Sequence, residues 1–305
     1  MLKRKLIFFL VTLPGVILIS LPTLSIAADD GAAFLKIGEG VKALGMGGAF
    51  VAIADDGSAP LWNPAGIARA KEKRINAAYS DKFNIGIKNE FLSIITPSYG
   101  ISLYKVGVGG IPETLWGPDG SPQKIGSFSD EENALFLSFA FKYTPRLWIG
   151  INGKYIYQKL YNKEASGLGL DLGSIFQATD SLSLGLTIQN IGESRLKWNT
   201  SSSQTDKIAQ NIKAGFALRL LKNHLTLAAD VDNKKEEYLF HLGAEAQLFN
   251  SLFLRVGSFQ YSPQNRIGDI LTGGLGINIG KIQFDYAYIP HNLGTTHKFS
   301  FQTKF

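Results

Sequence analysis

The sequence predicts an all-β fold, a transmembrane antiparallel β-barrel of about fourteen strands with a small plug-like segment before it. Three observations support this prediction. Apolar and polar residues alternate in segments of about 9–13 residues, short and long connections alternate between those segments, and the chain ends in a strand whose aromatic residues share one face. Tilted membrane strands need about 9–11 residues, with one face in lipid and the other in an aqueous lumen.

The first 27 residues have the layout of a secretory signal peptide. Lys3-Arg4-Lys5 is a positive start, residues 6–21 are apolar, and Ser25-Ile26-Ala27 supplies small residues for cleavage after Ala27 or Ala28. Proline and glycine interrupt the apolar run, which disfavours the alternative of a membrane-anchoring helix. We therefore expect an exported protein. Without residues 1–27 the net charge falls from +6 to +3, so its basic character is no argument for nucleic acid as a partner.

Residues 28–73 do not follow the strand pattern and form the predicted plug. Glycines make residues 36–54 compact, Asp55-Asp56 opens a turn, and Asn63-Pro64 is typical of a helix start. The alternative is a periplasmic extension outside the barrel. The candidate plug residues are Gly45, Gly47, Gly48, Asp55, Asp56, Asn63, Pro64 and Gly66.

Residues 74–305 form the predicted barrel. The expected strands are 74–84, 86–96, 99–108, 134–144, 147–159, 165–178, 182–191, 208–220, 224–233, 237–248, 251–260, 269–279, 281–290 and 295–305. Side chains alternate between the two faces of a strand, so in residues 135–143 we expect leucine and aromatic side chains to face lipid. An even number of strands is typical of bacterial single-chain barrels.

Connection lengths separate the two ends of the barrel. Turns of one to three residues are expected after every second strand, whereas 109–133, 192–207 and 261–268 are long. Short turns are expected to face the periplasm and long loops the outside. Trp116, in the first long loop, is a candidate contact for a partner, with packing over the barrel mouth as the alternative.

The last nine residues alternate up to the final position. Phe299, Phe301 and Phe305 share one face with Thr303, and lysine, serine and glutamine occupy the other. A soluble edge strand with this aromatic face would invite aggregation. The pattern therefore favours a membrane strand over the alternative, a half-buried strand of a soluble sandwich.

Signals for an enzyme are weak. Gly38–Ala43 fits a GxGxxA string, but no strand precedes it, as a dinucleotide site requires. The four histidines lack the spacing of metal ligands, and a Gly-x-Ser-x-Gly nucleophile motif is absent from the sequence. We expect no catalytic activity, no metal and no cofactor. Because the chain has no cysteine, disulfides do not stabilise it.

Two stretches resemble a known family. Residues 41–56 and 59–68 at one end, and Phe284–Tyr288 with Leu293–Lys298 at the other, are similar to the PorV/PorQ family of outer-membrane proteins and, more loosely, to FadL-type transporters. The resemblance implies a fourteen-stranded barrel in the bacterial outer membrane, surrounded by its lipid, with the N-terminal segment folded inside. It also implies that Phe299, Phe301 and Phe305 form a signal read by the barrel assembly machinery.

Three functions follow as alternatives. PorV-type members serve type IX secretion, which implies secreted proteins or secretion-system components as partners bound by the outer loops. The second is passive transport of small hydrophobic ligands, as in FadL, and the third is a structural outer-membrane protein. The resemblance favours the first. The polar composition of 109–133 and 192–207 disfavours the apolar external groove that hydrophobic uptake requires.

Overall fold

The structure is a computed structural model that describes residues 31–36, 38–200, 204–234, 237–260 and 270–305. The predicted signal peptide, residues 1–27, and the predicted long loop 261–268 lie outside the described residues.

Strands dominate the described chain. In order they are β1 (Arg74–Lys82), β2 (Ile87–Ile95), β3 (Tyr99–Trp116), β4 (Pro122–Thr144), β5 (Leu147–Leu160), β6 (Lys163–Gln177), β7 (Leu182–Gln189), β8 (Ser194–Trp198), β9 (Thr205–Ile208), β10 (Asn211–Leu220), β11 (Leu225–Lys234), β12 (Glu237–Leu248), β13 (Leu252–Phe259), β14 (Ile270–Ile279), β15 (Ile282–Ile289) and β16 (Thr296–Lys304).

Fourteen of these strands close into a barrel. Each wall strand pairs antiparallel with its neighbours, β7 passes directly to β10, and β16 pairs with β1 from Arg74↔Lys304 to Asp81↔His297. The short strands β8 and β9 lie outside this ring order, since β8 pairs with β6 and β9 with β8. The predicted antiparallel barrel of about fourteen strands is confirmed.

The two faces of the wall have opposite character. On β4, Leu135, Leu137 and Phe139 are exposed to the outside of the barrel, whereas Ser138 and Ala140 are buried on the inside. The last strand follows the same rule. Its outward side chains are Phe299, Phe301 and, just beyond the strand, Phe305, and its buried ones are Lys298, Ser300 and Gln302. The role of the three phenylalanines in assembly stays a prediction.

The prediction of a long loop at 109–133 is wrong for most of its length. β3 and β4 continue as one hairpin to Trp116 and Pro122, with irregular register near Gly110. The polar composition of residues 109–133 reflects strands that extend beyond the membrane, where both faces contact water. Trp116 is 79% exposed near the tip, so it does not pack over the barrel mouth, and its role as a partner contact stays a prediction.

The second predicted loop, 192–207, contains the hairpin of β8 and β9. It continues β7 and β10 after an irregular step at residues 190–193, where Asn190, Gly192 and Glu193 all have positive φ. Asn190 tolerates this conformation better than most residues. The step turns the hairpin out of the register of the wall.

Helices are short throughout the part of the chain that the structure describes. None of them there has the length and apolar character to cross a membrane.

Substitution of outward leucines by arginine tests the placement of the membrane. Leu137 and Leu115 lie on the same β3–β4 hairpin and are 56% and 60% exposed. Leu115 is far along β3 from Tyr99, and at about 3.3 Å per residue it lies beyond the apolar band of ~25 Å. We expect Leu137→Arg to destabilise the folded barrel by about 2–4 kcal/mol and Leu115→Arg to have little effect.

Equilibrium unfolding of both variants in lipid vesicles measures this difference. Equal losses of stability would place the hairpin tip in lipid as well, or the middle of β4 outside it.

Candidate functional site

The segment before β1 lies inside the barrel. It consists of two short helices, α1 (Val41–Gly45) and α2 (Ala59–Trp62), and 3₁₀ turns at Ala33–Lys36 and Pro64–Arg69. Nearly every side chain between residues 38 and 67 is buried, although the segment is too small for a core of its own. Its burial comes from the inner face of the wall. We call residues 31–70, as far as they are described, the plug.

Asn63 organises the turn at the start of the second 3₁₀ segment. Its Oδ1 accepts a hydrogen bond from Ala65 N at 3.1 Å, as an N-cap does. Its Nδ2 donates to Val51 O within the plug and to Ser174 O on β6, both at 2.9 Å. Pro64 occupies the first helical position, where its missing N–H costs nothing. One side chain thus caps the turn and attaches it to the wall.

The turn after α1 brings the plug backbone onto strands β12 to β14. Gly47, with φ 65°, donates its N–H to Thr272 Oγ1 at 3.1 Å, and its carbonyl accepts from His241 Nδ1 at 2.9 Å. Gly45 lies against Gly274, and Gly48 lies against His241. These glycines provide the close approach that larger residues would prevent.

Buried polar groups of the plug are paired with the wall. Asp230 on β11 accepts hydrogen bonds from two successive backbone groups, Phe50 N at 2.6 Å and Val51 N at 2.8 Å. Gln302 on β16 accepts from Gly57 N at 2.8 Å. An unpaired buried N–H costs about 1–3 kcal/mol, so these acceptors are needed wherever the plug chain has no secondary structure.

Charged pairs join the plug to the wall on the side of the short turns. Lys42 Nζ lies 3.1 Å from Asp55 Oδ1 and 3.1 Å from Glu245 Oε1 on β12. Glu245 continues the network to Arg255, which in turn pairs with Asp285 at 2.6 Å. Burial raises the pKa of Asp55, but the Lys42 ammonium outweighs it, and the pKa lies well below its ordinary value. Asp55 is therefore held ionised in this network.

Asp56 and Gly66 act within the plug itself. Asp56 Oδ1 accepts from Ser58 N at 2.8 Å and from Ser58 Oγ at 2.6 Å, which fixes the turn before α2. Burial and the neighbouring carboxylate of Asp55 raise the pKa of Asp56. Gly66 packs on the carbonyl of Ala54 so closely that a Cβ would overlap it. Both residues shape the plug, and Asp56 also lines the space beneath it.

Glycines of the wall form the seat of the plug. A Cβ on Gly257 of β13 would lie on the backbone of Met46 and Gly47, and one on Gly243 of β12 would lie on the Met46 carbonyl. Gly150, Gly173 and Gly185 on β5 to β7 meet plug atoms in the same way. Sequence reasoning missed these residues, because an isolated glycine in a strand has several explanations.

A cavity of about 270 Å³ lies above the plug, toward the long connections. Its apolar side is formed by plug and wall residues together, including Leu35, Trp62, Phe136, Ile208 and Phe259. Below the plug, a second space of about 360 Å³ is lined by charged residues such as Lys42, Asp55, Arg74 and Arg219. The plug therefore separates a cavity with an apolar side from a charged vestibule.

Two ion pairs line the polar side of the upper cavity. Lys154 Nζ lies 2.7 Å from Asp171 Oδ1 and donates to Asn190 Oδ1 at 2.6 Å. Lys213 Nζ lies 2.6 Å from Asp232 Oδ2 and 5.2 Å from the centre of the Trp62 ring.

Among the described residues, no group of three or more histidine, aspartate and glutamate side chains could hold a metal ion.

One family model matches part of the chain. The model described as "F plasmid transfer operon, TraF, protein" matches residues 146–232, which is well under half of the sequence, and the match does not place the chain in that family. No curated protein matches the sequence.

Solved structures share the fold over most of the chain. The Ralstonia pickettii toluene transporter TbuX is 15% identical, with a TM-score of 0.59 over 88% of this chain and 98% of that one. The monoaromatic hydrocarbon channel CymD is 13% identical, with a TM-score of 0.62 over 88% and 98%. A Pseudomonas aeruginosa FadL homologue is 13% identical, with a TM-score of 0.56 over 87% and 97%. The fold is thus that of FadL-like outer-membrane barrels, and none of these comparisons supports the PorV/PorQ assignment.

Enlarging a seat glycine should displace the plug. In Gly257→Leu the new side chain would overlap the backbone of Gly47, and overpacking of this kind costs about 1–3 kcal/mol. We expect ion conductance across planar bilayers to rise several-fold over that of the unaltered protein.

The matched control is Gly153→Leu on β5, since a Cβ on this exposed glycine meets nothing within 4 Å. Conductance that is unchanged in both variants would mean that the plug accommodates the leucine without leaving its seat.

Proposed function

We propose that this protein is a passive channel of the bacterial outer membrane for small hydrophobic molecules. The observation that carries the proposal is the cavity of about 270 Å³ held between the plug and the long-connection end of a closed barrel. Small-molecule sites are concave, largely apolar and ~300–1,000 Å³ in volume, so this cavity suits a small ligand.

The apolar side of the cavity favours a ligand with a hydrophobic body. Trp62 and Phe136 contribute aromatic rings, and Ile208 and Leu35 contribute aliphatic surface. Such surface gains about 25 cal/mol for each Å² of apolar area that a ligand removes from water. A water-filled pore for ions or sugars has no need of such a wall.

The route to the periplasm requires the plug to move. The plug fills the space between the cavity and the charged vestibule, and it is held by side-chain hydrogen bonds and ion pairs such as Asp230 to Phe50 N and Lys42 to Glu245. These contacts are not covalent, and no cysteine is present to add a covalent tie. In the proposed cycle, a ligand collects in the cavity and passes when the plug shifts.

The named functions of structures with the same fold agree with this proposal. TbuX is a toluene transporter and CymD a monoaromatic hydrocarbon channel. The alternative, a secretion component that binds proteins through its loops, has no such support. The exposed Trp116 hairpin is its best remaining feature, and an exposed hairpin tip is common among outer-membrane barrels of every function.

Filling the cavity tests the proposal. Ala209 lines the cavity and is 9% exposed, so Ala209→Phe should occupy part of the space that a ligand needs. The host is a bacterium with an outer membrane that lacks hydrocarbon channels of its own. In these cells we expect the uptake rate of radiolabelled toluene to be several-fold lower with Ala209→Phe than with the unaltered protein.

Ala77→Phe is the matched control, because Ala77 on β1 faces outward and its enlargement leaves the cavity untouched. The proposal fails if cells with the unaltered protein take up toluene no faster than cells without it, or if both variants behave alike.

A further inference from the structure

The polar side of the upper cavity limits which functional group a ligand can carry, whereas the volume of the cavity limits only its size. We infer that the cavity selects neutral molecules that combine a ring-sized apolar body with one hydroxyl group, in preference to hydrocarbons and to carboxylates. The inference rests on the proposed function and specifies its substrate class.

Charge at the polar side disfavours an anionic ligand. Two lysines that line the cavity are already neutralised, Lys154 by Asp171 at 2.7 Å and Lys213 by Asp232 at 2.6 Å. A carboxylate ligand would have to compete with a buried aspartate for one of these ammonium groups. It would also bring a second negative charge beside that aspartate, which is costly in a low-dielectric site. These two lysines are therefore poor partners for an anion.

A third lysine, Lys82, also borders the cavity, outside the two ion pairs. Its ammonium group lies over the ring of Phe83, 4.8 Å from the ring centre, where β1 ends. A cation over an aromatic face is already stabilised there.

The polar side also has hydrogen-bonding capacity that the protein does not use. His241 is 3% exposed, and its Nδ1 faces the Gly47 carbonyl at 2.9 Å. A carbonyl only accepts, so Nδ1 carries the hydrogen of this bond. Nε2 has no hydrogen-bond partner among the described residues, and it borders the cavity together with Lys213.

The geometry brings these groups to one place. Asp232 Oδ2 lies 2.6 Å from Lys213 Nζ and 3.6 Å from His241 Nε2, so an ammonium group and an imidazole nitrogen flank the same carboxylate oxygen. Lysine has three N–H groups, and a ligand oxygen can use one that Asp232 does not. On the same face of β10, two residues from Lys213, Asn211 Oδ1 is a buried acceptor without a partner among the described residues.

A hydroxyl group satisfies this arrangement, whereas a hydrocarbon and a carboxylate do not. It accepts from Lys213 and donates to Asn211 Oδ1, and the apolar body of the ligand lies toward Trp62. A hydrocarbon would leave these buried polar atoms unpaired, and sites built to bind a hydroxyl reject the analogue that lacks it by large factors. Trp62, Phe136 and Ile208 line the apolar side of the same cavity, where an aromatic or alicyclic body would lie.

Three probes of one shape test the inference: toluene, p-cresol and p-toluate. They share a ring and a methyl group and differ in the presence of a second substituent and in its charge. Isothermal titration calorimetry on the full-length barrel in detergent, with each probe titrated into protein-free micelles as the blank, gives the three affinities. We expect p-cresol to bind at least about tenfold more tightly than toluene and than p-toluate.

A double variant tests whether Lys213 and Asp232 cause the preference for p-cresol over toluene. Lys213→Met with Asp232→Asn removes the ion pair without leaving a single buried charge, and the affinity ratio of p-cresol to toluene should fall to about one. Lys207→Met with Glu193→Gln removes a comparable pair, 3.4 Å apart at the exposed rim, and should keep the ratio. Heat-modifiable mobility in gels shows that each variant is folded, and the ranking of the three probes on the unaltered protein needs no variant.

Each other result overturns the inference in a distinct way. Toluene binding as tightly as p-cresol leaves the proposed channel intact but makes its substrates hydrocarbons. Tightest binding of p-toluate makes the lysines an anion site. An unchanged ratio in the Lys213 double variant removes these residues from recognition. If none of the three probes binds, the proposed function fails together with the inference.

Discussion

The pairing of the first wall strand with the last is the constraint on which the rest of the structure depends. β1 and β16 are joined in register from Arg74↔Lys304 to Asp81↔His297, and this pairing removes the two free edges that an open sheet would leave. In hydrocarbon each unsatisfied backbone group costs several kcal/mol, so only closed sheets and helices span membranes. Once the sheet is closed, every strand has an inside and an outside, and the alternation of side chains follows. The aromatic face of β16, at the end of the chain, is one instance of this alternation.

Closure also creates the problem that the plug solves. A barrel of fourteen strands is too wide for its own inward side chains to fill, since about eight strands already leave an interior just wide enough for side chains. The plug enters as irregular backbone, and that backbone must be paired. Asp230 accepts hydrogen bonds from two successive N–H groups of the plug, and the side-chain amide of Asn63 donates to a carbonyl of the wall. Glycines such as Gly257 let the two backbones approach. Polar satisfaction and small residues, rather than apolar packing alone, hold the plug in its seat.

Much of this fold follows from the sequence because lipid imposes a simple rule on each strand. β12, predicted at 237–248, has those same bounds in the structure, and most other wall strands differ by one to three residues. The alternation of apolar and polar side chains is required only within the membrane. β3 and β4 extend beyond it into water, where polar residues on both faces are compatible with strand and with loop alike. The seat glycines and the cavity could not be predicted from the sequence, for another reason. Gly243 and Gly257 acquire meaning only when the plug lies against them, and His241 and Lys213 come together only when neighbouring strands are in register.

His241 links the two halves of the lumen. Its Nδ1 holds the carbonyl of Gly47, at the turn that follows α1, and its Nε2 borders the cavity. The residue that would meet a ligand is thus also one that fixes the plug. Asp232, its neighbour, is bound to Lys213, whose ammonium group lies over Trp62 of α2. Residues of the polar side therefore contact the plug at two places, the turn after α1 and Trp62 of α2. A ligand that changes the hydrogen bonding of His241 or Lys213 acts on the plug directly, because no intervening element separates the cavity from the contacts that keep the lumen filled.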